Sequence, residues 1–307
     1  MPLPEPYPIL TLHAADVLAP EEMGSKRKGW VRVGDDAEPW LFKYSRVNEG
    51  VVSGEGWAEK IAAEVAAAIG LSAARVELAG LDGEVGCVSR QFAELSLGSV
   101  ELVHGGDVLP GVVLGYERTK RFRQAEHTLD HILAAVERVI LDVPERAAAF
   151  RQLAGFVVLD GLVLNTDRHH ENWALFRRTL LDGTVHHTVA PSYDHASSLA
   201  RNEPADMLTR WLGDTAMDRV VWYAGRGHGG IFLAGETRGA NPLRLVEYAA
   251  QKWPRYFHPW LERVRVLDFS VLESIVSRVP AEMIPEPSRQ FALALLRHTH
   301  HILSSLP

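Results

Sequence analysis

Three polar residues in the middle of the chain have the types and spacing that phosphoryl transfer requires. Asp167 and Asn172 lie five positions apart in a polar cluster that follows an apolar run, and Asp194 comes after the next strand-like segments. In enzymatic phosphoryl transfer, one carboxylate aligns the attacking hydroxyl and accepts its proton. An amide oxygen in the same loop and a second carboxylate bind metal beside the nucleotide phosphates. Such hard oxygen ligands favour Mg²⁺.

The residues around this trio resemble a known family. Asn165-Thr166-Asp167-Arg168-His169-x-x-Asn172, followed by Tyr193-Asp194-x-x-Ser197, is similar to the catalytic and metal-binding segments of the HipA-like serine/threonine kinases. The resemblance implies an α+β, two-lobed protein-kinase-like fold, related to that of phosphatidylinositol kinases, with a β-rich N-lobe and a mostly helical C-lobe. It also implies use of ATP and Mg²⁺, with Asp167 as the catalytic residue and Asn172 and Asp194 as metal ligands.

A glycine turn and a lysine near the N-terminus are candidates for phosphate binding. The backbone amides around Gly24 and Ser25 could hold phosphate, although the stretch does not match the GxxxxGK[ST] motif and a solvated hairpin turn is the simpler interpretation. Lys43 lies in a strand-like segment among large apolar residues, where a lysine usually extends its ammonium group to water. In kinases the third strand carries a lysine that binds phosphates and pairs with a helix glutamate, and Lys43 occupies that place.

The partner glutamate is expected on a helix over residues 56–69, where apolar residues recur at steps of four. Glu59 and Glu64 lie at opposite edges of its apolar face, so helical periodicity does not choose between them. We favour Glu59 because its 11-residue distance to Gly70 resembles that in the family's helix. At least one of the two glutamates is expected to be a solvated helix residue.

Two strands with an Asp-Gly hairpin turn between them are predicted at 76–79 and 85–89. Phe92 follows where a kinase chain passes between its lobes, so it is a candidate adenine contact, although it could equally be a core residue. We therefore expect an N-lobe over residues 1–92 and a C-lobe over 93–307.

Helices and a second hairpin must position the catalytic segment. A helix is predicted from Thr128 and another from about Pro144 to Leu164, whose C-terminal end delivers Asp167. Segments 173–176 and 185–189 flank another Asp-Gly turn and are expected to pair. Residues 93–125 show no assignable pattern. The remainder is mostly helical, and its glycine-rich stretch 225–230 is interpreted as a surface loop rather than a substrate contact.

Composition and charge describe an ordinary globular protein. The 307 residues are 47% hydrophobic and 23% charged, and the net charge of −7 argues against a dedicated nucleic-acid-binding protein. The single cysteine, Cys87, allows no internal disulfide and is consistent with a reducing compartment. The start of the chain lacks signal-peptide features, and the longest apolar stretch is too short to cross a bilayer. We therefore expect a cytoplasmic protein that binds no membrane.

Histidines provide the main rival hypothesis. Five of them lie near the acidic residues, and imidazole with carboxylate suits Zn²⁺ or Fe²⁺, as in a hydrolase or oxygenase; they are His169, His170, His186, His187 and His195. No spacing matches the HExxH motif, and this hypothesis leaves Lys43 and Asn172 unused. A third hypothesis is a kinase-like fold that binds nucleotide without catalysis.

The family resemblance also implies partners and regulation. Several HipA-like proteins are toxins of toxin-antitoxin systems, so a protein substrate and an antitoxin partner are expected. Family members of the toxin type usually carry an additional N-terminal subdomain, and we expect this chain to be too short to include it. Ser25 occupies the position where some members are autophosphorylated, and negative charge there would inhibit. A lipid or small-molecule acceptor stays open, because fold does not decide function.

Overall fold

The structure is a computed structural model that describes residues 5–21, 27–48, 50–121, 123–213 and 216–307. These residues form eleven strands, ten α-helices and three short 3-10 helices. The strands are β1 (Ile9–Leu12), β2 (Val17–Pro20), β3 (Lys28–Val31), β4 (Trp40–Tyr44), β5 (Val47–Asn48), β6 (Val51–Val52), β7 (Val76–Leu81), β8 (Glu84–Arg90), β9 (Val100–His104), β10 (Ala174–Thr179) and β11 (Val185–Val189). The helices are α1 (Glu55–Ala68), α2 (Gly105–Val108), α3 (Leu129–Val139), α4 (Val143–Val163), α5 (Ala205–Trp211), α6 (Ala216–Arg226), α7 (Pro242–Lys252), α8 (Pro254–Val266), α9 (Phe269–Ser277) and α10 (Glu286–Ser305).

A six-stranded sheet dominates the N-terminal part, in the order β1-β7-β8-β4-β3-β2. Strand β1 is parallel to β7, and the other neighbours are antiparallel. Asp82 and Gly83 turn β7 into β8 with φ of 49° and 83°, the left-handed backbone that a tight Asp-Gly hairpin requires. Helix α1 packs on β7 and β8 through buried residues such as Trp57 and Ile61. The predicted helix and hairpin are both confirmed.

Helices build most of the C-terminal part around the long, buried helix α4. The side chain of Asp142 accepts a hydrogen bond from the N–H of Glu145 at the start of α4, and Pro144 lies in its first turn. Helices α7, α8 and α10 pack against α4, which places its apolar side chains at the centre of the main core. The same core includes Trp57 and Leu78, so it continues into the sheet region.

Strand β9 lies in the stretch for which the sequence predicted no element. It pairs antiparallel with β10, and the three-stranded sheet has the order β11-β10-β9. Val103 lies opposite Leu175, and this partner is far away in the sequence. Strand formation here depends on the pairing and burial that β10 supplies, which a local pattern does not contain.

These elements form a mixed α+β fold with a β-rich N-terminal region and a helical C-terminal part, as expected. In the part of the chain that the structure describes, no helix combines the length and apolar character needed to cross a membrane.

Candidate active site

A cavity of about 600 Å³ lies between the main sheet and the segment that follows α4. We call it the cleft cavity. Residues singled out in the sequence line it and come from four separate parts of the chain: Lys43, Phe92, Asp167, Asn172 and Asp194. Folding thus gathers the candidate phosphate-binding, catalytic and metal-binding side chains on one concave surface.

Lys43 is a residue of strand β4, and its side chain lies between two carboxylates. Its Nζ is 3.2 Å from Oδ1 of Asp194 and 3.5 Å from Oε1 of Glu59. Burial lowers the pKa of Lys43, but the negative charges of Asp194 and Glu59 more than offset this, so the pKa is raised overall and the ammonium stays charged. Glu64 instead lies 2.7 Å from Nζ of Lys60. Of the two glutamates that periodicity left open, Glu59 is therefore the one beside Lys43.

The negative charge of the buried Glu59 carboxylate is balanced mainly by Lys43. Its side chain is only 1% exposed, and neither oxygen has a hydrogen-bond partner among the described residues. Nδ1 of His195 lies 3.9 Å from Oε1 of Glu59. Burial lowers the pKa of this histidine to about 3, with the positive charge of Arg168 contributing, so His195 is neutral at pH 7. Lys43 is then the cation that balances the buried carboxylate.

The loop after α4 is held by hydrogen bonds from its own side chains. Leu164 adopts a left-handed backbone that ends the helix, and the Asn165 side chain donates to Oδ1 of Asp160 at 2.8 Å. Oδ1 of the Asn165 side chain accepts a hydrogen bond from the backbone N–H of Asp167 at 3.2 Å. Nδ2 of Asn172 donates to the backbone oxygen of Asp167 at 2.6 Å, which leaves Oδ1 of Asn172 as the end of the amide suited to a metal ion.

Arg168 connects this loop to its surroundings. Its Nε and Nη2 donate to the two carboxylate oxygens of Asp160 at 2.8 and 2.7 Å, and both side chains are buried. Its Nη1 donates to the backbone oxygens of Asn172 at 2.7 Å and Tyr193 at 3.3 Å. Arg168 therefore forms a buried ion pair that, with these hydrogen bonds, holds α4, the loop and the Asp194 segment together.

The segment around Asp194 contacts Asp167 from the other side. Asp194 has a left-handed backbone, with φ of 57°. Oγ of Ser197 donates to Oδ2 of Asp167 at 3.3 Å and accepts from Nη2 of Arg201 at 2.8 Å. Arg201 in turn lies 3.6 Å from Glu55 in the first turn of α1. No local sequence pattern indicates Arg201, because its contacts are with residues that are distant in the chain.

Apolar side chains form another wall of the cleft cavity. The Phe92 ring is edge-on to those of Phe176 and Tyr193, with centroids 5.6 and 6.1 Å apart. Leu41 and Leu102 line the same cavity. This wall can contact a flat, apolar group such as a nucleobase, so Phe92 both packs in a cluster and faces the cavity.

The histidines pack and hydrogen-bond rather than gather around a metal position. No three or more His, Cys, Asp or Glu side chains among the described residues form a group that could hold a metal ion. His170 is hydrogen-bonded to the Tyr116 hydroxyl at 2.9 Å, and His195 to Ser192 at 2.7 Å. His186 is exposed on β11. These contacts do not support the histidine-metal hypothesis.

A second cavity, of about 540 Å³, adjoins the first. We call it the side cavity. It shares Arg121, Asp167 and His169 with the cleft cavity, and Gly229 and Gly230 form part of its wall. A Cβ atom on Gly230 would lie 2.6 Å from the backbone carbon of Arg168, so this loop packs directly on the candidate catalytic segment. The interpretation of 225–230 as a plain surface loop is therefore corrected.

One protein-family model matches the part of the chain that contains this site. The family model of the HipA-like C-terminal domain matches residues 17–230, which include every site residue described above. The chain belongs to the HipA-like family. Among curated proteins no sequence matches this HipA-like chain.

Two solved structures resemble this HipA-like protein in fold. The proinflammatory kinase CtkA of Helicobacter pylori superimposes with a TM-score of 0.77 at 16% identity, over 97% of this chain and 98% of that one. HipA of Shewanella oneidensis MR-1, solved with HipB and operator DNA, gives a TM-score of 0.54 at 12% identity, over 94% of this chain and 65% of that one. At these identities the likeness shows a shared fold, which supports the predicted kinase-like architecture.

Two predicted residues of the HipA-like chain lie outside the described residues. Gly24 and Ser25 fall between β2 and β3, in a stretch of the chain that the structure does not describe. Their assignment to phosphate binding stays a prediction.

Proposed function

We propose that this HipA-like protein is a kinase that transfers the γ-phosphoryl group of ATP to a serine or threonine hydroxyl of a protein. The observation that carries the proposal is the position of Lys43, whose Nζ lies within 3.5 Å of both Glu59 and Asp194 on the wall of the cleft cavity. In kinases, a lysine that forms an ion pair with a helix glutamate binds the nucleotide phosphates. Asp167 and Asn172 line the same cavity.

The metal ligands in this proposal are Asn172 and Asp194. Their amide and carboxylate oxygens are the hard donors that suit Mg²⁺. The ion, when bound, would neutralise negative charge on the transferred phosphoryl group. Lys43 adds a second positive charge there, while Phe92 and the neighbouring leucines would contact the adenine ring.

Asp167 acts as the base in the proposed reaction. It accepts the proton of the acceptor hydroxyl as that oxygen bonds to the γ-phosphorus, and the bond from this phosphorus to ADP breaks. The Ser197 hydroxyl, 3.3 Å from Oδ2 of Asp167, holds the carboxylate in one orientation. Arg168 and Asp160 hold the backbone of the same loop.

Partners and regulation complete the proposal. The Shewanella HipA structure contains HipB, and we extend this to an antitoxin-like partner protein for the present chain. Autophosphorylation of Ser25 would add negative charge and inhibit the enzyme.

We also propose that the two lobes meet near residue 92.

The test is incubation of the purified protein with γ-labelled ATP and Mg²⁺, alone and with cell lysate. Asp167→Asn should lower transfer by about 100-fold or more, since it removes the base. The exposed Asp206→Asn is the matched control and should transfer like the wild type. Retained nucleotide binding without transfer would favour the non-catalytic hypothesis, and absence of nucleotide binding would refute the proposal.

A further inference from the structure

The side cavity adjoins Asp167 and is not lined by the candidate phosphate-binding residues that the structure describes. Asp167 lines both cavities, whereas Lys43, Asn172 and Asp194 line the cleft cavity alone. A group bound in the side cavity would therefore meet the Asp167 carboxylate outside the cavity that holds Lys43, Asn172 and Asp194. In the proposed reaction, the acceptor hydroxyl and its neighbours reach Asp167 from this side cavity.

The charge of the side cavity is opposite to that of the protein as a whole. The chain has a net charge of −7, yet its side cavity is lined by three arginines and a single carboxylate, that of Asp167. Arg121 pairs with Glu171 at 2.8 Å. Arg123 and Arg238 are exposed, and neither has an acidic partner among the described residues. Two guanidinium groups are thus available to an anionic ligand.

The wall that carries Arg238 is fixed against the catalytic segment. The N–H of Gly229 donates to the Ala240 oxygen at 2.7 Å, and Nδ1 of His228 donates to the Gly239 oxygen at 3.1 Å. Nδ1 of His127 donates to the Gly230 oxygen at 2.8 Å, while its Nε2 accepts from Trp173 at 3.1 Å. The arginine-bearing loop is therefore positioned relative to Asp167 before any ligand binds.

We propose that the side cavity binds acidic side chains that flank the acceptor hydroxyl in a protein substrate, with Arg123 and Arg238 as their partners. This inference rests on the proposed kinase function and adds a substrate class to it. The rim residues His228, Thr237 and Arg238 are exposed, so the cavity is open to solvent and can accept part of an extended chain. Guanidinium groups bind carboxylates with two parallel hydrogen bonds, which favours Asp and Glu near the acceptor.

The experiment compares three sets of serine and threonine peptides that differ only in the flanking residues: acidic, neutral or basic. For the wild type we expect the highest kcat/KM with the acidic set, and the preference should decrease as salt is added. The double variant Arg123→Gln/Arg238→Gln should lower kcat/KM for acidic peptides by about fivefold to tenfold. Arg178→Gln is the control, because Arg178 is exposed and lines neither cavity.

A charge reversal provides a readout that a folding defect would not produce. Arg238→Glu should shift the preference from acidic towards basic peptides. An acidic peptide with alanine at the acceptor position should compete with the acidic substrate in the wild type and lose this effect in the double variant.

Failure of this inference is distinguishable from failure of the proposed function. Transfer to all peptide sets alike, or a preference unaffected by Arg238→Glu, would overturn the acidic-substrate inference and leave the kinase proposal intact. Strong competition by inorganic phosphate without competition by acidic peptides would overturn it in favour of a phosphorylated acceptor. No transfer to any acceptor, with no nucleotide binding, would refute both.

Discussion

At the scale of single residues, the site depends on balanced charges in a buried position. The Lys43 side chain is 15% exposed and lies within 3.5 Å of two carboxylates, of which that of Glu59 is almost fully buried. Removing one partner of such a pair leaves the other charge buried and uncompensated, which is more destabilising than removing both. Stability and catalysis can therefore be separated at this pair.

Lys43→Met should lower the free energy of unfolding by about 3 kcal/mol, because Glu59 keeps its buried charge without the cation. The double variant Lys43→Met/Glu59→Gln should recover most of this stability, since the amide is neutral, but should recover no phosphoryl transfer. Urea unfolding and the transfer assay measure the two effects. Lys252→Met, at an exposed ion pair, is the control and should change stability by less than about 1 kcal/mol. A double variant as unstable as the single one would contradict this account.

At the scale of elements, the candidate catalytic loop is packed between α4 and the glycine-rich loop after α6. Arg168 binds Asp160 of α4 on one side, and the backbone of Arg168 contacts Gly230 on the other. Gly230 leaves no space for a side chain there, since the nearest atoms are backbone. The glycine is therefore required by packing rather than by an unusual φ.

Gly230→Ala should displace this loop and lower the free energy of unfolding by about 1 to 3 kcal/mol, the usual consequence of overpacking. Transfer activity should also decrease, because the displaced atoms adjoin Asp167. The matched control is Gly225→Ala: a Cβ atom there meets nothing within 4 Å, and alanine in helix α6 should be neutral or stabilise by up to about 1 kcal/mol. Chemical denaturation of both variants measures the difference, and equal effects would exclude a packing role for Gly230.

At the scale of the whole molecule, one core connects the sheet region with the helices. The main cluster of buried apolar residues includes Tyr7 near the start of the chain, Leu78 of the sheet and Leu303 of the last helix. Buried polar groups within such a structure affect its overall stability. His127 is one of them, and burial lowers its pKa to about 3.

Acid should therefore destabilise the protein well above the pH at which its carboxylates protonate. Because the pKa of His127 is about 3 in the folded state and the ordinary pKa of histidine is about 6.5, the unfolded chain binds a proton across this range and the folded protein does not. The free energy of unfolding should then fall as pH decreases from about 6.5, by at most about 1.4 kcal/mol per pH unit for this histidine. His195 contributes in the same direction.

Unfolding by urea at pH 7, 6 and 5 measures this slope. His127→Gln keeps a hydrogen-bond donor and an acceptor but cannot titrate, so its slope should be smaller than that of the wild type. His186→Gln, at an exposed position on β11, should leave the slope unchanged. Equal slopes for the wild type and His127→Gln would mean that this histidine does not cause the acid sensitivity.

Local sequence patterns were sufficient to predict the features that depend on neighbouring residues. Pro144 predicted the start of α4, Asp82 and Gly83 predicted a hairpin turn, and the five-residue spacing of Asp167 and Asn172 indicated the candidate catalytic loop. Helix starts, tight turns and loop motifs are decided by local backbone geometry and hydrogen bonding, so their signals lie within a few residues of each other.

The contacts between distant parts of the chain could be found only in the folded molecule. Glu59 rather than Glu64 lies beside Lys43 because packing of α1 on the sheet selects one edge of the helix, and periodicity treats both edges alike. Strand β9 forms because β10 pairs with it, and the glycine-rich loop reaches the candidate catalytic segment through contacts between Gly230 and Arg168. These contacts join residues that are far apart in the chain, and the free energy that selects them comes from burial in the folded molecule, which no local stretch of sequence contains.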